Sequence, residues 1–530
     1  MGHTVCPVNG CAEEGLAAAC VYPGDGTENG ETAMTRSTCI VVAMLVLCIA
    51  LPSLAQGFHN PKADKPPEAT PERMSGAEGI APLPLPGTTL RRSEKKKQPS
   101  PPTLVGMINF SITAQNKEAY QTTQIDIEQL MKFANNKLGI NYGYKAYSLS
   151  DFSYDPAELP VLYLTGWTPI PRLSDDVVER LRRYLYDGGT LVLHAQCGRT
   201  EFSNSARQLV SQIMPNRPLA LLDTDSYIFN AYYPIKTMRV RDGSKDFKST
   251  PPLLEAVYLG CRPAIIFSPV DLNVGWDVVK FPIEGGILYH QDDASQLGVN
   301  ILVSAMANTQ YARSWGTEKV YHEQDKKDRD QLVIAQIMHN GDWDPTPHAL
   351  PNLMKYVAKN TTLNVLFKRE VVDLSNADVF KHPVLYMTGL RDFVLTEEQV
   401  RQLKTYLNSG GVLVADSAAG NFAFDQAFRR ELARATDGNK LKLVDLDNAV
   451  FQNPYQIRGV EYSRLAKMQD PKLNAPLLEG VTVDGQLQVI YSRYSLSNGW
   501  EQMNFAYNRG YENSDALRMG VNIFSYVMTH

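Results

Sequence analysis

Cysteine is nearly absent from the part of this chain that has the pattern of a folded protein. Of its seven cysteines, five (Cys6, Cys11, Cys20, Cys39 and Cys48) precede residue 56, which leaves only Cys197 and Cys261. Two thiols cannot build a disulfide framework, although a single Cys197–Cys261 bond stays open. Positive charge is short as well. Lys and Arg number 52 against 57 Asp and Glu, and the net charge of -5 excludes the electrostatic footprint of a nucleic-acid binder. No apolar run is long enough to read as a membrane span, since Cys39 to Leu51 ends at Pro52. The dinucleotide GxGxxG, the Walker loop, the GxSxG elbow and the HExxH metal helix are all missing. No cofactor and no metal are therefore expected.

What is present begins with an export signal. Met34-Thr35-Arg36-Ser37 is a short basic start, Cys39 to Leu51 an apolar core, and Ser53-Leu54-Ala55 a small-x-small cleavage site. Residues 34–55 read as a signal peptide, with Gln56 as the mature N-terminus and 1–33 as a start-site artefact. Residues 56–102 follow with ten prolines and the basic cluster Arg91, Arg92, Lys95, Lys96 and Lys97. Such a stretch cannot bury enough surface to fold and reads as a disordered tether.

The rest of the chain repeats itself. Leu159-Pro160-Val161-Leu162-Tyr163-Leu164-Thr165-Gly166 returns as His382-Pro383-Val384-Leu385-Tyr386-Met387-Thr388-Gly389. Tyr184 to Gly189 returns as Tyr406 to Gly411, Ser268 to Asp277 as Ser492 to Glu501, and Gly298-Val299-Asn300 as Gly520-Val521-Asn522. Four blocks in one order define two domains of roughly 200 residues each. Their expected bounds are 103–310 and 331–530, with a polar linker over 311–330.

Apolar runs at Val161–Leu164 and Thr190–His194 read as buried strands. Between them, Ser174 opens a helix through Val177, Leu181 and Leu185 that Gly188-Gly189 stops. In copy two, Thr396-Glu397-Glu398-Gln399 has the form of a capping box. Strands alternating with amphipathic helices predict two tandem three-layer α/β/α domains with mainly parallel sheets, of flavodoxin-like type.

These blocks, together with Ile337 to Pro345 and Asp416 to Leu432, resemble the bacterial domain-of-unknown-function family four-one-five-nine. The resemblance covers both copies, and copy two carries the fuller match. It implies a fold like the class I glutamine amidotransferase domain and an exported or envelope-associated bacterial protein. It implies no established activity or cofactor. Where the family often has a His after a mid-domain Asp, this chain has Asp225-Ser226 and Asp447-Asn448.

Three constellations could carry chemistry. Cys197 follows a strand and precedes a helix, as a nucleophile elbow does, with His194 and Glu201 as its nearest acid–base partners. Copy two places Ala419, Asp416 and Ala423 opposite these three, so it cannot run the same reaction. His339, Asp342, Asp344 and His348 are metal-ligand types, but in no standard zinc spacing, and solvated or capping carboxylates are the alternative. The shared Gly-Trp-acid signature places Asp271 and Trp276 in copy one and Trp500 in copy two. Either it packs Trp over the sheet end, or it lines a ligand crevice there with Gly166, Gly389 and Asp416.

The sequence thus leads to a non-catalytic, periplasmic or extracellular protein. It would bind a small ligand or an envelope protein, with no transmembrane span after signal cleavage. A thiol hydrolase or amidase using Cys197 is the alternative.

Overall fold

The alternation of apolar runs with helical stripes produces two copies of one sheet. The computed structural model describes residues 103–108 (backbone only), 125–149, 152–243, 246–277, 285–316, 331–483 and 485–529. The proposed signal peptide and tether lie outside the described residues, as do residues 109–124 and 317–330.

Copy one contributes strands β1 (Thr103–Ile108), β2 (Tyr142–Tyr147), β3 (Val161–Gly166), β4 (Thr190–Ala195), β5 (Ala220–Leu221), β6 (Met238–Asp242), β7 (Lys248–Thr250), β8 (Glu255–Leu259), β9 (Arg262–Ser268) and β10 (Ile287–Tyr289). Its main sheet has the order β2-β1-β3-β4-β9-β8-β5. Copy two contributes β11 (Ile334–Ile337), β12 (Glu370–Val372), β13 (Val384–Gly389), β14 (Val412–Ser417), β15 (Lys442–Leu443), β16 (Glu479–Val483) and β17 (Gln486–Ser492). Its order, β12-β11-β13-β14-β17-β16-β15, is the same order element for element. In each sheet the first five strands run parallel, the sixth (β8 or β16) is reversed, and the last (β5 or β15) pairs antiparallel with it. A small antiparallel sheet, β10-β6-β7, is built out in copy one, where copy two keeps only a bridge between Tyr462 and Tyr511 at the place of Val240 and Tyr289.

Each main sheet is covered on both faces. Successive residues of β3 divide between two cores: Val161 and Tyr163 pack with helices α1 (Asp126–Leu138) and α5 (Gln291–Ala307), while Leu162 and Leu164 pack with α2 (Asp175–Tyr186) and α3 (Thr200–Ile213). That is the period-2 alternation of a strand buried on both sides. Burying a side chain such as Leu162 contributes roughly 1.5–3 kcal/mol. In copy two, α7 (Ala349–Asn360) and α12 (Asn513–Thr529) cover one face, and α8 (Glu397–Asn408) and α9 (Phe422–Ala435) cover the other. The capping box opens α8 as expected, with Thr396 Oγ1 accepting from Gln399 N. Ser174 opens α2 without a side-chain cap bond. Residues 311–316, expected in the linker, instead complete a helix, Thr309–Gly316, with Tyr311 buried.

The repeated blocks have packing causes. Tyr184 Oη donates to Leu159 O at 2.8 Å, and Tyr406 Oη to His382 O at 3.0 Å. In each copy the tyrosine ring fills the space a Cβ would need on the second glycine of the pair. A Cβ on Gly189 would lie 2.2 Å from the Tyr184 ring, and one on Gly411 2.3 Å from the Tyr406 ring. The Gly-Trp and Gly-Val-Asn blocks meet each other. Trp276 Nε1 donates to Ala294 O at 2.8 Å and Trp500 Nε1 to Ala516 O at 2.7 Å, and each indole lies over Gly298 or Gly520.

Candidate functional site

Each copy makes a sharp turn where its central strand ends, after β4 and after β14. At the turn Cys197 has φ 52° and ψ 19°, and Ala419 has φ 53° and ψ 12°. Left-handed backbone at a residue with a Cβ is strained, so something must hold it. In copy one the Asp271 carboxylate accepts from Cys197 N, and in copy two Asn498 Oδ1 accepts from Ala419 N at 2.7 Å. A returning segment then crosses over the turn. The glycine after the strained residue lies beneath Ile287 in copy one and beneath Arg509 in copy two.

This is the backbone shape of a nucleophile elbow, but the side chains around it are arranged differently from a nucleophilic site. Cys197 is 4% exposed, and burial, with Asp271 nearby, pushes its thiol up to about 11. Among the described residues no group hydrogen-bonds its Sγ. His194 is fully buried, with Nδ1 2.8 Å from Tyr163 Oη and Nε2 3.2 Å from Thr165 Oγ1. A neutral ring protonated on Nε2 satisfies both contacts, and burial holds its pKa down at about 3. Glu201 lies on the exposed side of α3. The two cysteines are not bonded to each other, and both are buried.

The two copies solve one buried electrostatic problem with different residues. In copy two Asp416 accepts from Tyr386 Oη at 2.6 Å, from the backbone of Leu496 and Ser497 at 2.9 Å each, and from Ser497 Oγ at 2.8 Å. In copy one His194 stands in its place and keeps the tyrosine. The carboxylate has moved to Asp271, which accepts from Val274 N at 2.9 Å as well as from Cys197 N. Burial pushes the Asp271 carboxyl up to about 7. Asp271, Trp276, Asp416 and Trp500 are all buried, and they fasten the loop after β9 or β17 to the sheet end. Gly166 and Gly389 close β3 and β13, and Gly389 is pressed by the rings of His339 and Phe424.

The His/Asp cluster at the start of copy two is drawn apart by separate partners. His339 Nε2 donates to Thr388 O at 2.8 Å while Nδ1 accepts from Gly341 N at 3.0 Å. Asp342 pairs with Arg391 at 2.7 Å, Asp344 with Arg369 at 2.6 Å, and His348 with Glu501 at 2.7 Å. Among the described residues no group of three or more metal-ligating side chains could hold an ion.

Sequence reasoning missed the place where the copies meet. The turn between β8 and β9, at the opposite end of copy one from its own elbow, reaches the elbow of copy two. Asn498 Nδ2 lies 3.4 Å from Cys261 Sγ, and Trp315 Nε1 donates to Pro345 O at 3.2 Å. Leu390, Ala418, Ala419, Met503 and Phe505 of copy two join the hydrophobic core of copy one. Among the described residues, two cavities lined from both copies lie in this cleft. One of about 810 Å³ lies between Arg182, Arg217 and Tyr186 of copy one and Asp342, Trp343 and Arg391 of copy two. The other, about 570 Å³, includes Tyr227, Tyr258 and Asp225 of copy one and Ala419, Tyr507 and Arg509 of copy two. Both lie over the C-terminal strand ends of copy two, the end at which parallel sheets take ligands. The available sequence signal was the ungapped register between Gly298 and Gly520, which sets Arg509 opposite Ile287.

No curated protein matches the chain. Among solved structures, alpha-L-fucosidase isoenzyme 2 from Paenibacillus thiaminolyticus is 9% identical over 81% of this chain and 84% of that one, with a TM-score of 0.15. A likeness that weak carries no argument about fold or activity. Among the described residues no helix is long and apolar enough to cross a membrane. The family described as "Domain of unknown function (DUF4159)" matches residues 110–306 and again residues 333–528. The chain belongs to that family, as two tandem copies of its domain.

Proposed function

We propose that this is an exported, non-catalytic protein of the bacterial cell envelope that binds a small ligand or a protein partner in the cleft between its two copies. One observation carries the reading: copy one roofs the strand ends of copy two and leaves cavities of about 810 and 570 Å³ lined from both sides. Ligand sites favour such concave junctions. Export rests on the basic start, apolar core and small-x-small site ahead of Gln56. A thiol hydrolase finds no support around Cys197, whose thiol is buried and has no base at its Sγ among the described residues.

The test is a thermal-shift screen of envelope-derived sugars, short peptides and neutral aryl compounds. It compares the wild type with Ala506→Trp, which places an indole in the smaller cavity from an exposed position. Compounds that stabilise the wild type should lose their effect on the variant. Hits indifferent to Ala506→Trp, or amide hydrolysis that disappears in Cys197→Ala, would contradict the reading. Sequencing of the mature N-terminus is expected to begin at Gln56, and retention of Met1 would refute export by this signal.

A further inference from the structure

Arg509 stands out within the smaller cavity. It lies on the segment that returns over the elbow of copy two, where its amide donates to Ala419 O at 3.0 Å and its carbonyl accepts from Ser495 N at 3.0 Å. Ile287 holds the same place in copy one: its carbonyl accepts from Asp271 N, the counterpart of Ser495 N, at 3.0 Å. Both residues press on the elbow glycine, Gly198 or Gly420. The fold therefore accepts an aliphatic side chain here, and the guanidinium is an addition made only where the two copies face each other.

Arg509 is half-buried. Among the described residues its guanidinium forms no hydrogen bond and no ion pair. Asp225, which lines the same cavity, and Asp425 are near enough for their charges to be felt, as is the positive Arg493, yet neither carboxylate is paired with Arg509. Arg464, exposed at the rim, adds a second positive charge. The wall beside them is aromatic. Tyr227 and Tyr507 stack with centroids 4.1 Å apart, and Phe505 meets the edge of Tyr227 at 5.6 Å. A partly desolvated arginine with five donors and no acceptor is costly to leave unpaired, and an oxyanion that accepts two parallel hydrogen bonds is its natural complement. Aromatic walls favour a flat apolar body.

We infer that the cleft binds an organic oxyanion, a carboxylate or phosphate on a flat apolar body, with Arg509 taking the anionic head and the tyrosine-rich wall taking the body. This inference rests on the cleft being the binding site, as proposed above.

Isothermal titration with 2-naphthoate, 2-naphthyl phosphate and neutral 2-naphthamide tests it on the full mature chain. At least one anion should bind the wild type more tightly than the amide, and which one does so identifies the head group. Arg509→Ile copies the residue of copy one and should fold. It should weaken the anion by about tenfold or more and leave the amide unchanged. Arg509→Lys should recover part of the loss, and Ala506→Trp should abolish binding of every compound. An anion affinity unchanged in Arg509→Ile, or no anion binding at all, overturns the inference. Amide binding that is lost in Ala506→Trp while no anion is preferred would retain the cleft and reject the anion. Binding unaffected by Ala506→Trp would reject both.

Discussion

If the buried carboxylate that ties each elbow to the loop after β9 or β17 is a fastener, moving it should be costly alone and tolerable in combination. Asp416→His gives copy two the residue of copy one. The imidazole can keep Tyr386 Oη, as His194 keeps Tyr163 Oη, but the acceptor for the amides of Leu496 and Ser497 is lost. Two buried N–H groups without partners cost about 1–3 kcal/mol each, so the single change should destabilise by about 2–6 kcal/mol. Ser495 occupies the position of Asp271, and Ser495→Asp would return a carboxylate within reach of the amides of Ser497, Asn498 and Ala419. The double variant should therefore be more stable than the sum of the two singles predicts, by about 1 kcal/mol or more. Urea unfolding followed by tryptophan fluorescence measures all three proteins. Additivity within about 0.5 kcal/mol would refute the idea that the two arrangements are alternative solutions to one problem.

Other outcomes follow from the same geometry. Gly411→Ala should destabilise by about 1–3 kcal/mol, because its Cβ would meet the Tyr406 ring at 2.3 Å; a neutral effect on the urea midpoint would show that the ring is free to move. Burial holds His339 down from 6.5 to about 4. Its folded value is depressed, so its contribution is fully present above pH 6.5 and is lost as the pH falls through 4, on the order of 3 kcal/mol. His339→Gln should flatten that part of the stability–pH curve, and an unchanged slope would refute the assignment. Cys197→Ala should leave stability within about 1 kcal/mol, because Ala419 occupies the same strained turn, and Cys197 should resist iodoacetamide until the protein unfolds. Rapid alkylation of the native protein would contradict its burial.

The fold was legible because its causes are local and repeated. The Tyr-to-Gly-Gly spacing reports a ring packed on a glycine, and the Gly-Trp and Gly-Val-Asn blocks report an indole seated on a helix. Both can be read as spacings along the chain. Strand order was not legible in that way, but alternating elements restrict a parallel sheet to few topologies. The extra sheet formed by β6, β7 and β10 escaped notice because Met238–Asp242 and Lys248–Thr250 have little apolar periodicity and are largely exposed. At the sites, the residue types drew attention but their partners did not show. Nothing in the spacing of His339, Asp342 and Asp344 reveals that Thr388, Arg391 and Arg369 take them separately. The cleft was hidden for a stronger reason. It joins Cys261 to Asn498 and Tyr227 to Tyr507, pairs more than 200 residues apart whose contact depends on how two finished domains pack.

Hydrogen exchange on the full mature chain, with and without 2-naphthoate or 2-naphthyl phosphate, tests the cleft most directly. The account predicts slowed exchange on both sides of the junction, at the amides of residues 225–231 and 258–261 in copy one and 419–421 and 505–510 in copy two. The turn around Cys197 should be unaffected. Protection centred on residues 194–201, with the junction unchanged, would contradict it and return attention to the elbow of copy one.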